Sequence, residues 1–276
     1  MMKLAVLGPK GTFSDNASDL YIKETGDKME RVYFSTIDEA FHSVGKTCDI
    51  GIIPIENTLD GYVQRTIDLL SEEDVHIKEE ITIPVQFSLL ANAQDKDSIK
   101  RLYVQFKANG QCRHFLDSLG GVSVVTTESN MESFYKLESG IEGDAAIVPA
   151  HVAGNLSARF KLENITDSIS NFTRFVVIVP GRPCEEIADG MDFKAPVYIS
   201  PETDRPGMLF DMLSGFQKND LNLVSIISRP TKKEMGTYNF FMEIKSHSSK
   251  KDVLLKVLDE LGAYYGIKLM GMYSVK

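Results

Sequence analysis

Three short blocks of this sequence place side chains suited to catalysis or ligand binding next to predicted strands. The first block reads NFTRF over residues 171–175 and stands directly before the apolar run 176–179. Thr173 and Arg174 therefore lie at the mouth of a predicted strand, where ligand sites of open α/β sheets gather. A threonine hydroxyl can assist a leaving oxygen, and arginine holds a carboxylate through two parallel hydrogen bonds. The simpler alternative is that Thr173 is an ordinary strand residue and that Arg174 forms a surface ion pair.

The second block, GPKGTFS over residues 8–14, joins a predicted strand to a predicted helix. Its two glycines allow the backbone to approach a ligand, and the start of the helix presents free amide groups and the positive end of its dipole. Such a helix start suits a carboxylate. The spacing differs from that of a phosphate-binding P-loop, and a tight turn with a helix cap is the alternative.

The third block, PIENT over residues 54–58, follows a predicted buried strand. Glu56 can accept a hydrogen bond or act as an acid, and Asn57 and Thr58 can donate to a substrate. A cap for the next helix explains the same residues equally well. A separate pair, Gln111 and Cys112, opens another predicted helix, and the thiol of Cys112 is expected in the core.

The composition is that of a globular protein with an acidic balance. The 276 residues carry a net charge of −9, which argues against nucleic-acid binding but permits an anionic small substrate at a local cluster of donors. No apolar run approaches the roughly 18 residues of a membrane span or has the form of a signal peptide. The three cysteines are scattered, and no histidine spacing fits a metal site. We expect a cytoplasmic protein with reduced thiols, no metal, and no membrane or nucleic-acid partner.

Alternating strand and helix patterns over the first two-thirds of the chain must position these blocks. Apolar runs predict short buried strands at residues 3–7, 49–54, 86–90, 122–125 and 144–148. Helices are predicted from residue 61 and over residues 111–119. This βαβ rhythm predicts an α/β fold with mostly parallel sheets and with ligands at the strand ends.

A second domain is predicted beyond a change of composition near residues 181–183. Predicted strands at 196–199, 221–224, 238–244 and 267–273 alternate with helix faces at 208–216 and 253–261. The order βαββαβ over roughly 80 residues is the α+β ferredoxin-like arrangement. We place the linker at residues 181–193 and the second domain at residues 194–276.

The three blocks, in this order, resemble the prephenate dehydratase family, and the resemblance covers essentially the whole chain. It implies a catalytic domain over residues 1–180, built as two α/β subdomains with a cleft between them as in periplasmic binding proteins, followed by an ACT regulatory domain. It also implies conversion of prephenate to phenylpyruvate, CO2 and water in phenylalanine biosynthesis, without a cofactor. ACT domains pair through sheet edges, so a homodimer or homotetramer is expected.

The resemblance assigns roles within the cleft. Thr173, Asn57 and Gln111 are expected to be catalytic, with Thr173 assisting departure of the ring hydroxyl. Arg174 and the loop of residues 8–14 are expected to hold carboxylates. The other candidates for substrate binding are Gly11, Thr12, Ser14, Glu56, Thr58 and Phe175.

The sequence departs from the family pattern inside the predicted catalytic domain. The family has Ser-His-Pro-Gln where this chain has Val104, Gln105, Phe106 and Lys107. Phe87 stands in place of a second family histidine.

The predicted regulatory domain departs as well. The residues that correspond to the family's phenylalanine site are Gly207, Met208, Leu209, Asn222, Ser228, Arg229 and Pro230. Ile227 stands where the family has a glutamate, and Met208 is bulkier than the usual residue. We therefore expect L-phenylalanine to act as an effector weakly or in an altered way.

Other functions stay open at the level of sequence. The changes at Val104 and Gln105 permit an arogenate dehydratase or a non-aromatising prephenate decarboxylase, although retention of Thr173 weighs against the decarboxylase. A non-catalytic sensor of aromatic acids would share the cleft, but it would form no phenylpyruvate.

Overall fold

The computed structural model describes residues 1–183, 187–202 and 205–275 and shows two lobes followed by a C-terminal domain. Each of the three units contains one β-sheet. Within the described residues no helix is long and apolar enough to cross a membrane.

The first lobe is formed by the start of the chain and by one strand that returns to it later. Its elements are β1 (Met2–Leu7), α1 (Phe13–Thr25), β2 (Met29–Phe34), α2 (Ile37–Ser43), β3 (Ile50–Asn57), β4 (Gly61–Tyr62), α3 (Gln64–Glu72) and β5 (Val75–Pro84). The returning strand is β11 (Phe172–Pro180), which lies between β3 and β5 in the order β2-β1-β3-β11-β5. Because β1 pairs in parallel with β2 and β3 while β11 runs antiparallel to both of its neighbours, the sheet is mixed, and the expectation of mostly parallel sheets is wrong for this lobe.

The second lobe is inserted between β5 and β11. Its elements are β6 (Phe87–Ala91), β7 (Arg101–Gln105), α4 (Phe106–Gln111), α5 (Arg113–Asp117), β8 (Ser123–Thr127), α6 (Asn130–Glu138), β9 (Asp144–Pro149), α7 (Ala150–Ala153) and β10 (Phe160–Leu162). The strand order is β10-β6-β9-β7-β8, again with parallel and antiparallel pairs. The two chain crossings lie side by side, because the amide of Val85 donates to the carbonyl of Asn171 at 2.8 Å.

The C-terminal domain has the predicted ferredoxin-like order. Its elements are β12 (Asp192–Ser200), α8 (Met208–Lys218), β13 (Asn222–Pro230), β14 (Tyr238–His247), a 3-10 turn (Ser248–Lys250), α9 (Lys251–Gly262), β15 (Gly266–Leu269) and β16 (Tyr273–Ser274). The antiparallel sheet has the order β13-β14-β12-β15, with β16 added beside β12. Residues of α8 and α9 share one buried apolar cluster with one face of this sheet.

The other face of the C-terminal sheet packs directly on the first lobe. Tyr198, Phe241, Met270 and Tyr273 belong to the same buried cluster as Ile53, Ile55 and Val176 of the first lobe. The C-terminal domain and the first-lobe sheet therefore share one apolar core.

Several predicted boundaries differ from the structure. Residues Gly61–Tyr62 form a short strand and the helix begins at Gln64, because this segment pairs with β3 before it turns. The helix expected over 111–119 is two short helices, and β12 begins inside the predicted linker. Within that linker, residues 184–186 lie outside the described residues.

Candidate active site

A cleft of about 640 Å³ lies between the two lobes and collects polar side chains from both. The first lobe contributes Leu7, Gly8, Pro9, Thr12, Phe13, Ser14, Ile37, Pro54, Asn57, Asp60, Gly61, Tyr62, Val63, Thr173 and Phe175. The second lobe and the crossing contribute Val85, Phe87, Gln105, Lys107, Gln111, Glu128, Ser129 and Asn130. Of the candidate site residues, the structure thus brings Thr12, Ser14, Asn57, Gln111, Thr173 and Phe175 to one cleft.

Thr173 and Asn57 form the polar centre of the cleft. They are directly paired across β11 and β3, and the Asn57 amide Nδ2 donates to the Thr173 Oγ1 at 3.0 Å. Asn57 is itself fixed, since its Oδ1 accepts the amides of Leu59 at 3.0 Å and Asp60 at 3.1 Å. No acceptor for the Thr173 hydroxyl hydrogen lies among the described residues, so this hydroxyl is free to donate into the cleft.

The loop before α1 presents a helix start to the cleft. Thr12 is the N-cap, and its Oγ1 accepts the amide of Asp15 at 3.3 Å. Gly11 has φ 87°, and a Cβ there would meet the Met131 sulfur at 2.7 Å, so this glycine permits the loop to touch the second lobe. Gly11 itself does not line the cleft.

A second helix start, which the sequence analysis missed, faces the cleft from the other lobe. Ser129 caps α6 and accepts the amide of Glu132 at 3.1 Å. Asn130 follows it, and its buried Oδ1 has no hydrogen-bond partner among the described residues. The Ser-x-x-Glu spacing of residues 129–132 is a capping-box signal that could have revealed this helix start.

Gln111 offers an unpartnered acceptor to the cleft. Its Oε1 is buried and has no hydrogen-bond partner in the part of the chain that the structure describes. A buried acceptor without a donor is costly, so this atom suits a ligand O–H or N–H. Cys112 is fully buried behind it, as expected, and burial raises the pKa of its thiol to about 12.

Arg174 and Glu56 lie on the opposite side of their strands, away from the cleft. Successive residues of a strand face opposite sides, so Arg174 points to the C-terminal domain when Thr173 points to the cleft. Arg174 is 7 % exposed, and its guanidinium contacts Glu56, Glu80 and Glu243 at 2.7–3.1 Å. The expectation that Arg174 and Glu56 bind substrate is therefore wrong in this geometry, because both are paired at the domain interface.

Of two further candidates for substrate binding, Thr58 lies outside the cleft and Phe175 lies in its wall. The Thr58 hydroxyl donates to the carbonyl of Ser170 at 3.1 Å and accepts the amide of Phe172 at 2.9 Å, so it joins the strand ends outside the cleft. Phe175 is 1 % exposed and forms part of the cleft wall.

The positions that depart from the family pattern have local partners. Val104 is buried in the second-lobe core, and Gln105 caps α4 by accepting the amide of Lys107 at 2.8 Å. Phe87 packs edge-on against Phe13, with 5.5 Å between the ring centres. Lys107, which sequence reasoning missed as a cleft residue, places its Nζ 2.9 Å from Asp60 Oδ2 across the cleft.

The candidate phenylalanine-site residues are spread over the start of α8 and along β13. Gly207 has φ 81° and starts α8, Met208 lines a cavity of about 410 Å³, and Leu209 packs against the domain core. Asn222 and Ser228 are exposed on β13.

The other end of β13 is committed to the first lobe. Arg229 is buried in a two-bond ion pair with Asp68, with both distances 2.9 Å. Pro230 lines a second cavity of about 410 Å³ that also contacts Asp68. Ile227 packs on the apolar cluster of the first lobe, so the position of the family glutamate serves domain packing here.

No group of three or more His, Cys, Asp or Glu side chains suited to a metal ion occurs within residues 1–183, 187–202 and 205–275.

A two-lobed α/β domain with a cleft between its lobes is followed in this chain by a ferredoxin-like domain. The prephenate dehydratase family model matches residues 4–182, and the ACT domain model matches residues 202–261. The chain belongs to the prephenate dehydratase family.

Known proteins that resemble the chain agree over nearly its whole length. A bifunctional chorismate mutase/prephenate dehydratase of Aquifex aeolicus is 34% identical over 99% of this chain and 73% of its own length. A prephenate dehydratase of Methanocaldococcus jannaschii is 30% identical, covering 97% of this chain and 96% of its own. The crystal structure of prephenate dehydratase from Arthrobacter aurescens in complex with L-Phe has a TM-score of 0.82 at 26% identity, covering 99% of this chain and 90% of its own.

Proposed function

We propose that this chain converts prephenate to phenylpyruvate, CO2 and water, and that the reaction takes place in the interlobe cleft. Family membership supports the activity, and the Thr173–Asn57 pair carries the assignment of the site. The roles of individual residues follow from the geometry around this pair.

The reaction needs assistance to one leaving group. The bond from the ring to the carboxylate breaks and its electrons enter the ring, while the bond from the ring to the hydroxyl oxygen breaks and that oxygen leaves as water after taking up one proton. Thr173 donates its hydroxyl hydrogen to the departing oxygen, and Asn57 holds the Thr173 oxygen in place. A threonine is a weak acid, so its contribution is orientation together with partial proton donation.

The two carboxylates of prephenate are held by helix starts instead of by Arg174. The N-termini of α1 and α6 face the cleft from opposite lobes through Thr12, Ser14, Ser129 and Asn130. Free amide groups and the positive dipole ends favour anions at both places. Lys107 adds a cation at the cleft edge, where it is paired with Asp60.

Gln111 orients the ring. The hydroxyl is the one strong hydrogen-bond donor of prephenate at neutral pH, and the buried Gln111 Oε1 is an acceptor without a partner among the described residues. A bound ring hydroxyl would satisfy this acceptor and would place its oxygen within the same cleft as Thr173.

The protein is also proposed to be a cytoplasmic homodimer or homotetramer. The strand β13 is an edge of the C-terminal sheet, and its Val224 and Ile226 are 45% and 42% exposed. An exposed apolar edge strand favours pairing with a second copy. Free buried thiols at Cys48 and Cys112 fit a reducing compartment.

L-Phenylalanine is proposed to act as a weak effector. The Arthrobacter relative binds L-Phe, and Met208 and Pro230 line neighbouring cavities in the C-terminal domain. Ile227 offers no acceptor for the amino group of the effector, because it is apolar and packs against the first lobe.

The test is a direct assay of phenylpyruvate formation from prephenate, with arogenate as the alternative substrate and with a no-enzyme control. We expect turnover of prephenate above the control and little inhibition by phenylalanine below about 100 μM, which corresponds to roughly −5.5 kcal/mol of binding. Turnover of arogenate alone would make the chain an arogenate dehydratase. Binding of prephenate without product would support the sensor and overturn the proposal.

A further inference from the structure

A cluster of charged side chains joins the back of the cleft to the C-terminal domain. Its members, here called the interdomain charge cluster, are Glu56, Glu80, Arg174, Lys194 and Glu243. Lys194 and Glu243 come from the C-terminal domain, and the other three come from the first lobe.

Glu243 is the most enclosed acid of this cluster. It is 2 % exposed, and its two oxygens accept from the Arg174 Nη1 and Nη2, each at 2.7 Å. The Tyr62 hydroxyl donates to the same carboxylate at 2.5 Å. Glu243 thus binds two first-lobe side chains at once through short, charge-assisted hydrogen bonds.

Arg174 and Tyr62 are both directly connected to residues of the cleft. Arg174 follows Thr173 on β11, and its guanidinium also contacts Glu56 Oε2 at 2.9 Å, next to Asn57 on β3. Tyr62 belongs to β4 at the edge of the cleft and pairs with Glu56 of β3, while its ring packs against Phe241 and its hydroxyl contacts Glu243. Three cleft residues are therefore fixed from behind by one carboxylate, two of them through a strand neighbour.

We propose that Glu243 is a positioning residue for the dehydratase reaction, so that the C-terminal domain completes the active site of its own chain through Arg174 and Tyr62. This inference rests on the proposed function. The carboxylate does not touch the substrate. It sets the positions of Thr173, Asn57 and Tyr62, and small misplacements of such groups lower the rate of a reaction.

The experiment compares kcat and KM for prephenate in the wild type and in Glu243→Gln and Glu243→Asp. We expect Glu243→Gln to lower kcat by about 10-fold or more, with a smaller change in KM, because orientation is lost while the anion sites remain. Glu243→Asp keeps the charge and should recover part of kcat.

Asp68→Asn is the matched control. Asp68 also forms a buried two-bond ion pair across the same domain interface, with Arg229, but neither residue lines the cleft. This variant should weaken domain docking and leave kcat within about 2-fold of the wild type, as for a distant and independent site. An equal loss of kcat in Asp68→Asn would show a general docking effect and overturn the proposal.

A second variant keeps the proposal testable if Glu243→Gln fails to fold. Tyr62→Phe retains the ring and its packing on Phe241 and removes only the hydroxyl that contacts Glu243. It should lower kcat, and combination with Glu243→Asp should cost less than the two separate losses added together. Normal kcat in both Tyr62→Phe and Glu243→Asp would overturn the positioning role. Absence of turnover in the wild type would overturn the proposed function as well.

Discussion

Strands β3 and β11 present opposite chemistry on their two faces, although the residues concerned are sequence neighbours. On the cleft face, Asn57 and Thr173 are neutral and share one hydrogen bond, and the Thr173 hydroxyl keeps a hydrogen to donate. On the other face, Arg174 forms ion pairs with Glu56 of the same lobe and with Glu243 of the C-terminal domain. Groups available for chemistry therefore lie on one side of the sheet, and groups used for assembly lie on the other.

The face of the sheet that packs on the C-terminal domain is here called the back face. Burial and ion pairing together determine the pKa values of its charged groups. Burial by itself lowers the pKa of Arg174, but the hydrogen bonds and charge of Glu243 outweigh it, so the guanidinium pKa lies above its usual value. Burial likewise raises the pKa of Glu80, and Lys194 together with Arg174 outweighs it, so the net pKa is lowered. Both groups stay charged at neutral pH, as a structural cluster requires.

The largest expected effect is on the back face. Arg174→Met should lower the free energy of unfolding by about 3–5 kcal/mol, because buried carboxylates lose their shared cation. Urea denaturation measures this change. The control is Arg65→Met, because both partners of the Arg65–Asp38 ion pair are exposed and its loss should change stability far less. Equal losses in the two variants would contradict the assignment of Arg174 to assembly.

The next effect is on the cleft face and concerns rate instead of stability. Thr173→Val keeps the shape of the side chain but removes the hydroxyl, and should lower kcat by about 100-fold or more. Thr173→Ser keeps the hydroxyl and should stay close to the wild type. Steady-state kinetics with prephenate test both variants, and full activity in Thr173→Val would remove this residue from the mechanism.

The smallest expected effect distinguishes a cleft residue from its immediate neighbour. Asn57→Ala should lower kcat by about 10-fold, because the Thr173 oxygen loses the donor that orients it. Thr58→Ser should leave kcat unchanged, since Thr58 bonds the strand ends outside the cleft and serine keeps its hydroxyl. A larger loss of kcat in Thr58→Ser than in Asn57→Ala would show that the site boundary drawn between these two residues is wrong.

Residue type alone left the site open, and the resemblance to the family led from the sequence to three residues that lie in the cleft. Thr173, Asn57 and Gln111 carry neutral donors and acceptors in blocks of recognisable order, and the structure brings all three into one cleft. The fold class and the ferredoxin-like order also follow, because their apolar periodicities are strong.

Arg174 shows what the sequence cannot supply. Its chemistry suits a carboxylate, but the face of the strand on which it lies depends on register, and a shift by one residue exchanges the faces. The acid that it binds, Glu243, is 69 residues away in another domain. The sequence analysis did not predict β5, because Lys78, Glu79 and Glu80 interrupt its apolar pattern. This strand is paired with β11, which is also far away in the chain.

The position of β11 in the first lobe has a consequence for the order of folding. This strand pairs on both sides, with β3 and β5, yet it follows the entire second lobe in the chain. During synthesis from the N-terminus, the second lobe emerges complete while the first lobe still lacks the strand in the middle of its sheet. Until residues 172–180 arrive, the apolar strands β3 and β5 expose unpaired edges that are prone to association. Because Thr173 lies on that strand, a nascent chain completes the sheet of its first lobe and gains the Thr173–Asn57 pair in the same step.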